Sequence, residues 1–387
     1  MSFPILGVLF VLSPAALYLW VLAEMRRVHA APRLSTTDEA NNSRTQATVT
    51  VIIAARDESP SVGTCLQSIL GQQAVKHVIF IDDHSSDCTL DIARNMAQND
   101  SRLMVLSAPP LPYGWIGKSH ALHYASQLVQ TKYLLFTDAD VWMAPGIVRA
   151  AASQMDRDNL DHLGGYFFIH CSSVAEEVCA PVLAISSTIA LFRSAPSLGA
   201  ATGAFNMMRT HFYRDIGGHQ PIRNKTVDDI ALARYSKAAG GKTCFVDTSK
   251  AVKVRLFIGF RGFADAVARS AVPFLQVGKV PAFCSAILLL LQGFATAAAF
   301  CVAVGTPLWR PPFFGSHAAA WAVSIATPYL LGFACILQSR RYHDGRMAWG
   351  LLYPVPMVIL AFSTARGAAY GLLGRRISWR GRTYERV

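Results

Sequence analysis

The stretch Lys132-Tyr-Leu-Leu-Phe-Thr-Asp-Ala-Asp140 joins an apolar run to two carboxylates, and it predicts a short buried strand with an acidic end. Successive side chains of a strand alternate between faces, so Asp138 and Asp140 are expected to point the same way and Ala139 the other way. Two carboxylates on one face can hold a divalent cation, which prefers oxygen ligands. A solvated acidic turn is the alternative for this tripeptide alone.

A regular alternation of strand-like and helix-like segments precedes this stretch. Strands are predicted over residues 49–55, 77–81 and 103–106, and helices over residues 61–72, 88–98 and 118–130. This spacing indicates an α/β fold with a parallel sheet and helices on both faces. In such sheets, ligands bind beyond the carboxyl ends of the strands.

Three of the predicted strands end in acidic residues. The first ends in Arg56-Asp57-Glu58, the second in Asp82-Asp83-His84-Ser85-Ser86-Asp87 and the fourth in Asp138-Ala-Asp140. No glycine-rich phosphate loop follows the first strand, which disfavours a Rossmann dehydrogenase or a P-loop enzyme. A diphosphate at this rim would therefore need a metal ion and a cation such as Lys118.

The composition predicts a protein that is partly soluble and partly membrane-bound. Of the 387 residues, 52% are hydrophobic, and the mean hydropathy is +0.31. The net charge of +12 suits anionic lipid headgroups or a phosphorylated substrate. We predict no nucleic-acid partner, since no nucleic-acid motif is recognisable. The eight cysteines contain no Cys-X-X-Cys pair, which argues against zinc and for reduced thiols on a cytosolic face.

The N-terminal apolar run, residues 3–23, is long enough to cross a bilayer. It lacks a basic leader and a clear cleavage site, so we expect a retained anchor. Arg26, Arg27 and Arg33 follow it, and the positive-inside rule then puts the next domain in the cytoplasm. This predicts a multi-pass protein of a bacterial-type cytoplasmic membrane.

The C-terminal third is also membrane-like. Residues 283–304 and 318–337 are each long enough to span, and a basic loop follows at residues 338–346. The run from residue 347 to about 362 is expected to be re-entrant or interfacial, because the basic tail after it should stay inside. Residues 174–192 could form a core helix or lie on the membrane surface, and we favour the surface.

These patterns divide the chain into four regions. We predict an anchor over residues 1–25, a linker over 26–46, a catalytic domain over 47–280, and a membrane region with a basic tail over 281–387. Within the catalytic domain, Asp228 and Asp229 stand just before a helix-like run. Taken alone, this pair could simply favour a helix start through the helix dipole.

From about residue 49 to its C-terminus, the chain resembles the membrane-bound family 2 glycosyltransferases with a GT-A catalytic domain. The resemblance rests on Ile81-Asp82-Asp83-His-Ser-Ser-Asp87-Cys-Thr89, Gly114-Trp-Ile-Gly-Lys118, Thr137-Asp-Ala-Asp140, Thr202-Gly203-Ala204, Gly217-Gly218-His219 and Val227-Asp228-Asp229 in this order. It is most similar to the lipid-directed members: ceramide glucosyltransferases, carotenoid-acid glycosyltransferases and the hopanoid-associated glycosyltransferase.

The resemblance implies an inverting transferase that moves a sugar from a nucleotide-diphosphate donor, by default a UDP-sugar, to the hydroxyl of a membrane lipid. It implies donor-binding roles for Asp57, Asp83, Lys118 and Asp138, a Mg²⁺ or Mn²⁺ ion on Asp140 with Asp138, and Asp229 as the general base. Gly203, Asp228, Arg261 and Arg269 are the candidates for contacts with the acceptor or the diphosphate.

Two departures from the family pattern affect these expectations. The third acidic motif is Asp228-Asp229 rather than Glu-Asp, which keeps the charge. The Gln/Arg-X-X-Arg-Trp motif is absent, and Arg261 and Arg269 are the available substitutes. This argues against a processive polysaccharide synthase. A polyprenyl-phosphate sugar synthase and a non-catalytic membrane scaffold remain alternatives, and no oligomeric state is predicted.

Overall fold

The computed structural model describes residues 3–34, 36, 49–271, 318–372, 377–379 and 382–384. The chain forms two compact units. The helical unit comprises Met1–Ala30, His170–Ile189 and Phe257–Arg375, and the sheet unit comprises Ala31–Ile169, Ala190–Leu256 and Arg376–Val387.

The sheet unit contains a seven-stranded mixed sheet. Its strands are β1 (Val49–Ala55), β2 (Val75–Asp82), β3 (Leu103–Ser107), β4 (Tyr133–Asp138), β6 (His162–Tyr166), β8 (Asn206–Arg209) and β9 (Thr243–Asp247), in the order β3-β2-β1-β4-β8-β6-β9. The first four run parallel, β8 is antiparallel to both of its neighbours, and β6 is parallel to β9. The predicted α/β sheet is confirmed, and it is mixed because β8 reverses direction.

Five further strands form two smaller sheets. One has the order β5-β10-β7, with β5 at Val141–Met143, β7 at Phe168–Ile169 and β10 at Val252–Val254. The other pairs β11 (Ile377–Trp379) with β12 (Arg382–Tyr384).

The helices of the parallel part lie where the alternation predicts them. They are α2 (Val62–Leu70), α3 (Thr89–Ala97) and α4 (Gly117–Ser126). Three further helices of the sheet unit, which the alternation did not include, are α5 (Ile147–Arg157), α7 (Thr210–Asp215) and α8 (Asp228–Ala238). The apolar side chains of α4 pack on one face of the sheet, where Leu122 joins Ile52, Ile79 and Leu134 in a buried cluster. Burial on this scale holds the strand ends in fixed positions.

One detail of the acidic strand is a correction. The strand β4 ends at Asp138, and Ala139 and Asp140 form a turn before β5. Strand alternation therefore stops at Asp138. The expectation that alternation sets the direction of Asp140 is wrong, because Asp140 is not part of the strand.

The helical unit contains α1 (Phe3–His29), α9 (Gly259–Ala271), α10 (Ala318–Ser339) and α11 (Pro354–Leu372). Two predicted spans, residues 3–23 and 318–337, are thus helical, while 283–304 lies outside the described residues. Among the described residues, one helix is long and apolar enough to cross a membrane: α6 (Val174–Leu198), half buried over its most apolar window. Placement of these helices in a membrane stays a prediction.

The outer edge of β9 carries a short extra pairing. Arg33 forms a parallel bridge with Asp247, whose backbone N–H donates to the carbonyl of Pro32 and whose carbonyl accepts from Leu34. The Arg33 guanidinium also lies 3.4 Å from the Asp247 carboxylate. Residues 32–34 therefore cover the edge of the main sheet.

Candidate active site

A pocket opens at the carboxyl end of β4, inside the sheet unit. It is lined by Lys118, Leu122, Phe136, Thr137, Asp138, Gly203, Asn206, His219, Asp228 and Asp229. Lys118 lies in the first turn of α4, Asp138 ends β4, and both acidic residues of the third motif begin α8. Five of the quoted motifs, which are far apart in the sequence, therefore meet at one place on the rim.

The ammonium of Lys118 joins two of these motifs. Its Nζ lies 2.7 Å from Asp138 Oδ1 and 3.3 Å from Asp228 Oδ1. Burial alone would lower the pKa of Lys118, but the nearby carboxylates outweigh it and raise the pKa well above its usual value. The pocket therefore contains a permanent cation held between two acidic residues.

Gly203 fits tightly against Asp138. Its carbonyl accepts a hydrogen bond from the Asp138 backbone N–H at 2.8 Å. A Cβ at this position would lie 2.2 Å from Asp138 Oδ2, so no residue with a side chain fits without moving that carboxylate. The neighbouring Thr137 hydroxyl donates to the Ala204 carbonyl at 2.9 Å. These contacts fix the loop before β8 against the end of β4.

Asp229 is set up to exchange a proton near neutral pH. Burial raises its pKa to about 7, the neighbouring Asp228 acts in the same direction, and Lys118 opposes them. Its Oδ1 accepts the backbone N–H of Ile230 at 2.7 Å. A partly buried carboxylate with this pKa suits general acid–base chemistry.

Asp140 carries a buried carboxylate oxygen and a raised pKa. Burial raises its pKa to about 8, and Asp138 and Glu58 add to the effect. Its Oδ1 is buried and has no hydrogen-bond partner within the described residues. A divalent cation would relieve this concentration of negative charge.

No group of three or more His, Cys, Asp or Glu side chains converges on a metal position in the described part of the chain. A Mg²⁺ site needs fewer protein side chains than this, since the ion is commonly held by one or two carboxylates together with substrate phosphates and water. Asp138 and Asp140 meet that requirement. The residues present therefore fit a divalent cation that arrives with a phosphorylated ligand.

The predicted nucleoside residues lie at the ends of β1 and β2. Asp57 adopts a positive φ of 54° and accepts the Ser86 backbone N–H at 2.7 Å and the Ser86 hydroxyl at 3.0 Å. The backbone hydrogen bond from Ser86 is the main reason that the pKa of Asp57 is lowered. Asp83 is buried, and its backbone N–H donates to the Ala55 carbonyl at 2.8 Å. Asp57 thus holds the loop after β2 in place.

The two arginine candidates belong to the helical unit. Arg261 and Arg269 both lie on α9, where the Arg261 side chain is exposed and the Arg269 side chain is outside the description. Their acceptor role stays a prediction.

Three neutral polar residues at this site were given no role in the sequence analysis. Asn206 and His219 line the pocket, and the His162 ring forms a hydrogen bond with the Asn206 side chain. Burial lowers the pKa of His219 to about 3, and its Nδ1 shares a 2.7 Å hydrogen bond with the Tyr213 hydroxyl. The diglycine before His219 was the one signal for it, and none marked Asn206 or His162.

Residues 50–217 match the family model described as Glycosyl transferase family 2. Similar proteins include a 4,4'-diaponeurosporenoate glycosyltransferase from Staphylococcus aureus (strain MRSA252), 25% identical over 239 residues and 59% of each chain. The same-named protein from Staphylococcus haemolyticus (strain JCSC1435) is 32% identical over 104 residues and 27% of each chain. The chain spans less than two thirds of the length of these relatives.

Among solved structures, the chain is similar to the mannosyltransferase PcManGT from Pyrobaculum calidifontis, in complex with GDP-Man and Mn²⁺. The TM-score is 0.54 at 15% sequence identity, and the match covers 94% of this chain and 98% of that one. This likeness confirms the predicted type of α/β fold.

Proposed function

Because residues 50–217 match the model of Glycosyl transferase family 2, we propose that this chain transfers a sugar from a nucleotide-diphosphate donor, a UDP-sugar by default, to a hydroxyl of a membrane lipid. The observation that carries the proposal is the Lys118 ammonium, held between Asp138 and Asp228 in the same pocket as Asp229. Such a pocket offers charge for a diphosphate and a base for an acceptor.

The donor is proposed to lie along the rim formed by β2, β1 and β4. Asp57 and Asp83 would contact the nucleoside, and Lys118 would contact the diphosphate while Asp138 orients the ammonium. Gly203 would let the backbone approach Asp138 closely, and Asp228 would be the second carboxylate that contacts the Lys118 ammonium. The support is that all these residues lie on consecutive strand ends or directly against them.

Asp138 and Asp140 are proposed to hold Mg²⁺ or Mn²⁺. When bound, the ion would neutralise negative charge on the diphosphate leaving group. The support is the raised pKa of Asp140 and its buried oxygen without a partner in the described chain. Lys118 contacts one oxygen of Asp138, so it would share the neutralisation of the diphosphate.

Asp229 is proposed to be the general base. As the acceptor oxygen attacks the anomeric carbon from the face opposite the diphosphate, the Asp229 carboxylate would take the hydroxyl proton. The C–O bond to the new acceptor would form while the bond to the diphosphate oxygen breaks, which inverts the sugar configuration. A pKa of about 7 lets the same group accept the proton and later release it to water.

The acceptor is proposed to be lipid-like and the chain membrane-associated, with its sheet unit in the cytoplasm. The long apolar helices and the net charge of +12 support this. Arg261 and Arg269 stay candidates for acceptor contacts. The relatives are named for a carboxylate, diaponeurosporenoate. An apolar carboxylic acid is therefore a second candidate acceptor, and it would need no base because it is already ionised.

The test is incubation of membranes containing the chain with labelled UDP-glucose and GDP-mannose, followed by analysis of the lipid extract. We expect a labelled lipid that resists mild alkali, as a glycoside does. An alkali-labile label would identify an ester and therefore the carboxylate acceptor. A label released by mild acid but not by alkali would point to a polyprenyl-phosphate sugar. Membranes with Lys118→Met are the control, and equal labelling from them would remove the pocket from the reaction.

A further inference from the structure

Asn206 projects from the same face of the sheet as the acidic end of β4. Phe136 and Asp138 are two residues apart on β4, so their side chains share a face. In the antiparallel pairing of β4 with β8, Asn206 stands directly opposite Phe136. Directly paired residues point to the same side. Asn206 therefore enters the pocket beside the carboxylate that Lys118 holds.

A buried histidine orients the Asn206 amide. His162 on β6 is the diagonal neighbour of Asn206, because Gly164, two residues further along β6, is the residue paired with it. The His162 Nε2 lies 2.6 Å from Asn206 Oδ1. Both residues are at most 2% exposed, so their contact is sealed from water.

The proton of this pair can be assigned. Burial lowers the pKa of His162 to about 4, so the imidazole is neutral at physiological pH. Its Nδ1 has no partner in the described part of the chain. A buried N–H without an acceptor is rarer than a buried lone pair without a donor, so the proton belongs on Nε2 and is donated to Asn206 Oδ1.

This assignment leaves the Asn206 Nδ2 group as a donor toward the pocket. Within the described residues, no protein atom accepts a hydrogen bond from Nδ2, although the residue lines the pocket wall. The other polar side chains of that wall are the carboxylates, the Lys118 ammonium, the neutral His219 ring and the Thr137 hydroxyl, which already donates to the Ala204 carbonyl. Asn206 therefore supplies a fixed, uncharged donor that no protein acceptor among the described residues engages.

The strand order indicates which part of the donor reaches Asn206. The nucleoside candidates lie at the ends of β2 and β1, the diphosphate candidates at the end of β4, and Asn206 on β8 beyond them. A donor laid along this order places its sugar at β8. We propose that Asn206, held by His162, determines donor specificity by donating a hydrogen bond to a hydroxyl oxygen of the transferred sugar. The inference rests on the proposed function and assigns a part of its substrate to one residue.

The test compares binding of UDP and UDP-glucose to the purified full-length protein by calorimetry, with GDP and GDP-mannose as the second pair. Asn206→Ala should weaken binding of the sugar nucleotide by about 3- to 10-fold, the usual value of one hydrogen bond. It should leave binding of the bare nucleotide unchanged. The donor KM should rise by the same factor, and the exposed Asn95→Ala is the matched control.

A second variant keeps the test valid if Asn206→Ala fails to fold. The pair His162→Phe with Asn206→Leu removes both partners and leaves no buried donor unpaired, so the fold should survive. It should show the same selective loss. His162→Gln, whose amide can still donate from a similar position, should retain sugar binding better than His162→Leu.

Two results would overturn the inference. One is an unchanged preference for the sugar nucleotide in Asn206→Ala and in the double variant. The other is an equal loss for nucleotide and sugar nucleotide, which would mean general damage to the pocket. A wild-type protein that binds neither ligand would overturn the proposed function itself, and this inference with it.

Discussion

The substitution Asp229→Asn should slow transfer and, above pH 7, stabilise the protein. Asparagine keeps the size of the side chain but cannot accept the proton, so transfer to a hydroxyl should fall by about 10²–10⁴-fold. The pKa of Asp229 is about 7 in the folded protein, against a usual value of 3.8. The folded state therefore holds an extra proton between these pH values, and the free energy of unfolding falls as the pH rises through them.

The size of the stability change follows from the same shift. A difference of about three pH units corresponds to about 4 kcal/mol once Asp229 is fully ionised. The attraction between Asp229 and Lys118 is already contained in this pKa, but the side chain is only partly buried and solvent screens its charge, so we expect a gain of about 1–3 kcal/mol above pH 8. Below about pH 4, near the usual pKa of 3.8, the carboxyl is protonated in both the folded and the unfolded state, and the two proteins should be equally stable.

The assay is the transfer rate at saturating donor, measured beside melting curves at about pH 4 and about pH 8.5, near the two ends of the titration window. Asp91→Asn is the matched control, because Asp91 is an exposed acidic residue in the first turn of α3. It should keep the transfer rate and lose about 0.3–1 kcal/mol of helix-dipole stabilisation.

One result would refute the reasoning. If Asp229→Asn turns over normally and melts earlier at both pH values, like the Asp91 control, then Asp229 only stabilises the start of α8. A hydroxyl acceptor would then be excluded together with the base. Normal turnover with an alkali-labile product would identify the carboxylate acceptor instead.

Three further substitutions test the rest of the pocket. Gly203→Ala should weaken donor binding and lower the melting temperature, since its Cβ would lie 2.2 Å from an Asp138 oxygen. Gly63→Ala, a helical position with its nearest contact at 3.7 Å, should leave donor binding unchanged and should not lower the melting temperature. Lys118→Met should cost about 1–3 kcal/mol in urea unfolding, less than a fully buried pair because its side chain is 21% exposed. Asp140→Ala should abolish the Mg²⁺ dependence of donor titrations with the fold intact, and metal-dependent affinity in this variant would remove Asp140 from the metal site.

The sequence predicted the parallel half of the sheet because each of its strands is a short continuous apolar run. The prediction for β1 matches the structure residue for residue, and the following helices agree within a few positions. Parallel strands are buried on both faces, which gives this pattern. Since charged residues are rarely buried, the acidic residues at the strand ends also marked the rim correctly. The roles assigned to those residues stay predictions.

The features that the sequence did not predict depend on contacts between distant segments of the chain. Asp140 was assigned to β4 because the alternating sequence pattern continues past the true end of that strand, whereas Asp140 lies in a turn. His162 and Asn206 are neutral and lie on strands whose pairing register no local pattern contains. The pocket therefore has charged residues that the sequence predicts and neutral residues that only the assembled sheet brings together.

The pairing of residues 32–34 with β9 has a practical consequence for work with shortened forms of the chain. An uncovered edge strand presents unpaired N–H and C=O groups and invites association with a second sheet. A form that begins at Val49 would lose the Pro32 and Leu34 hydrogen bonds to Asp247 and would uncover that edge. We expect such a form to aggregate, and the aggregated fraction should increase with protein concentration. A form that begins before Ala31 should stay monodisperse if its apolar helices are kept in detergent.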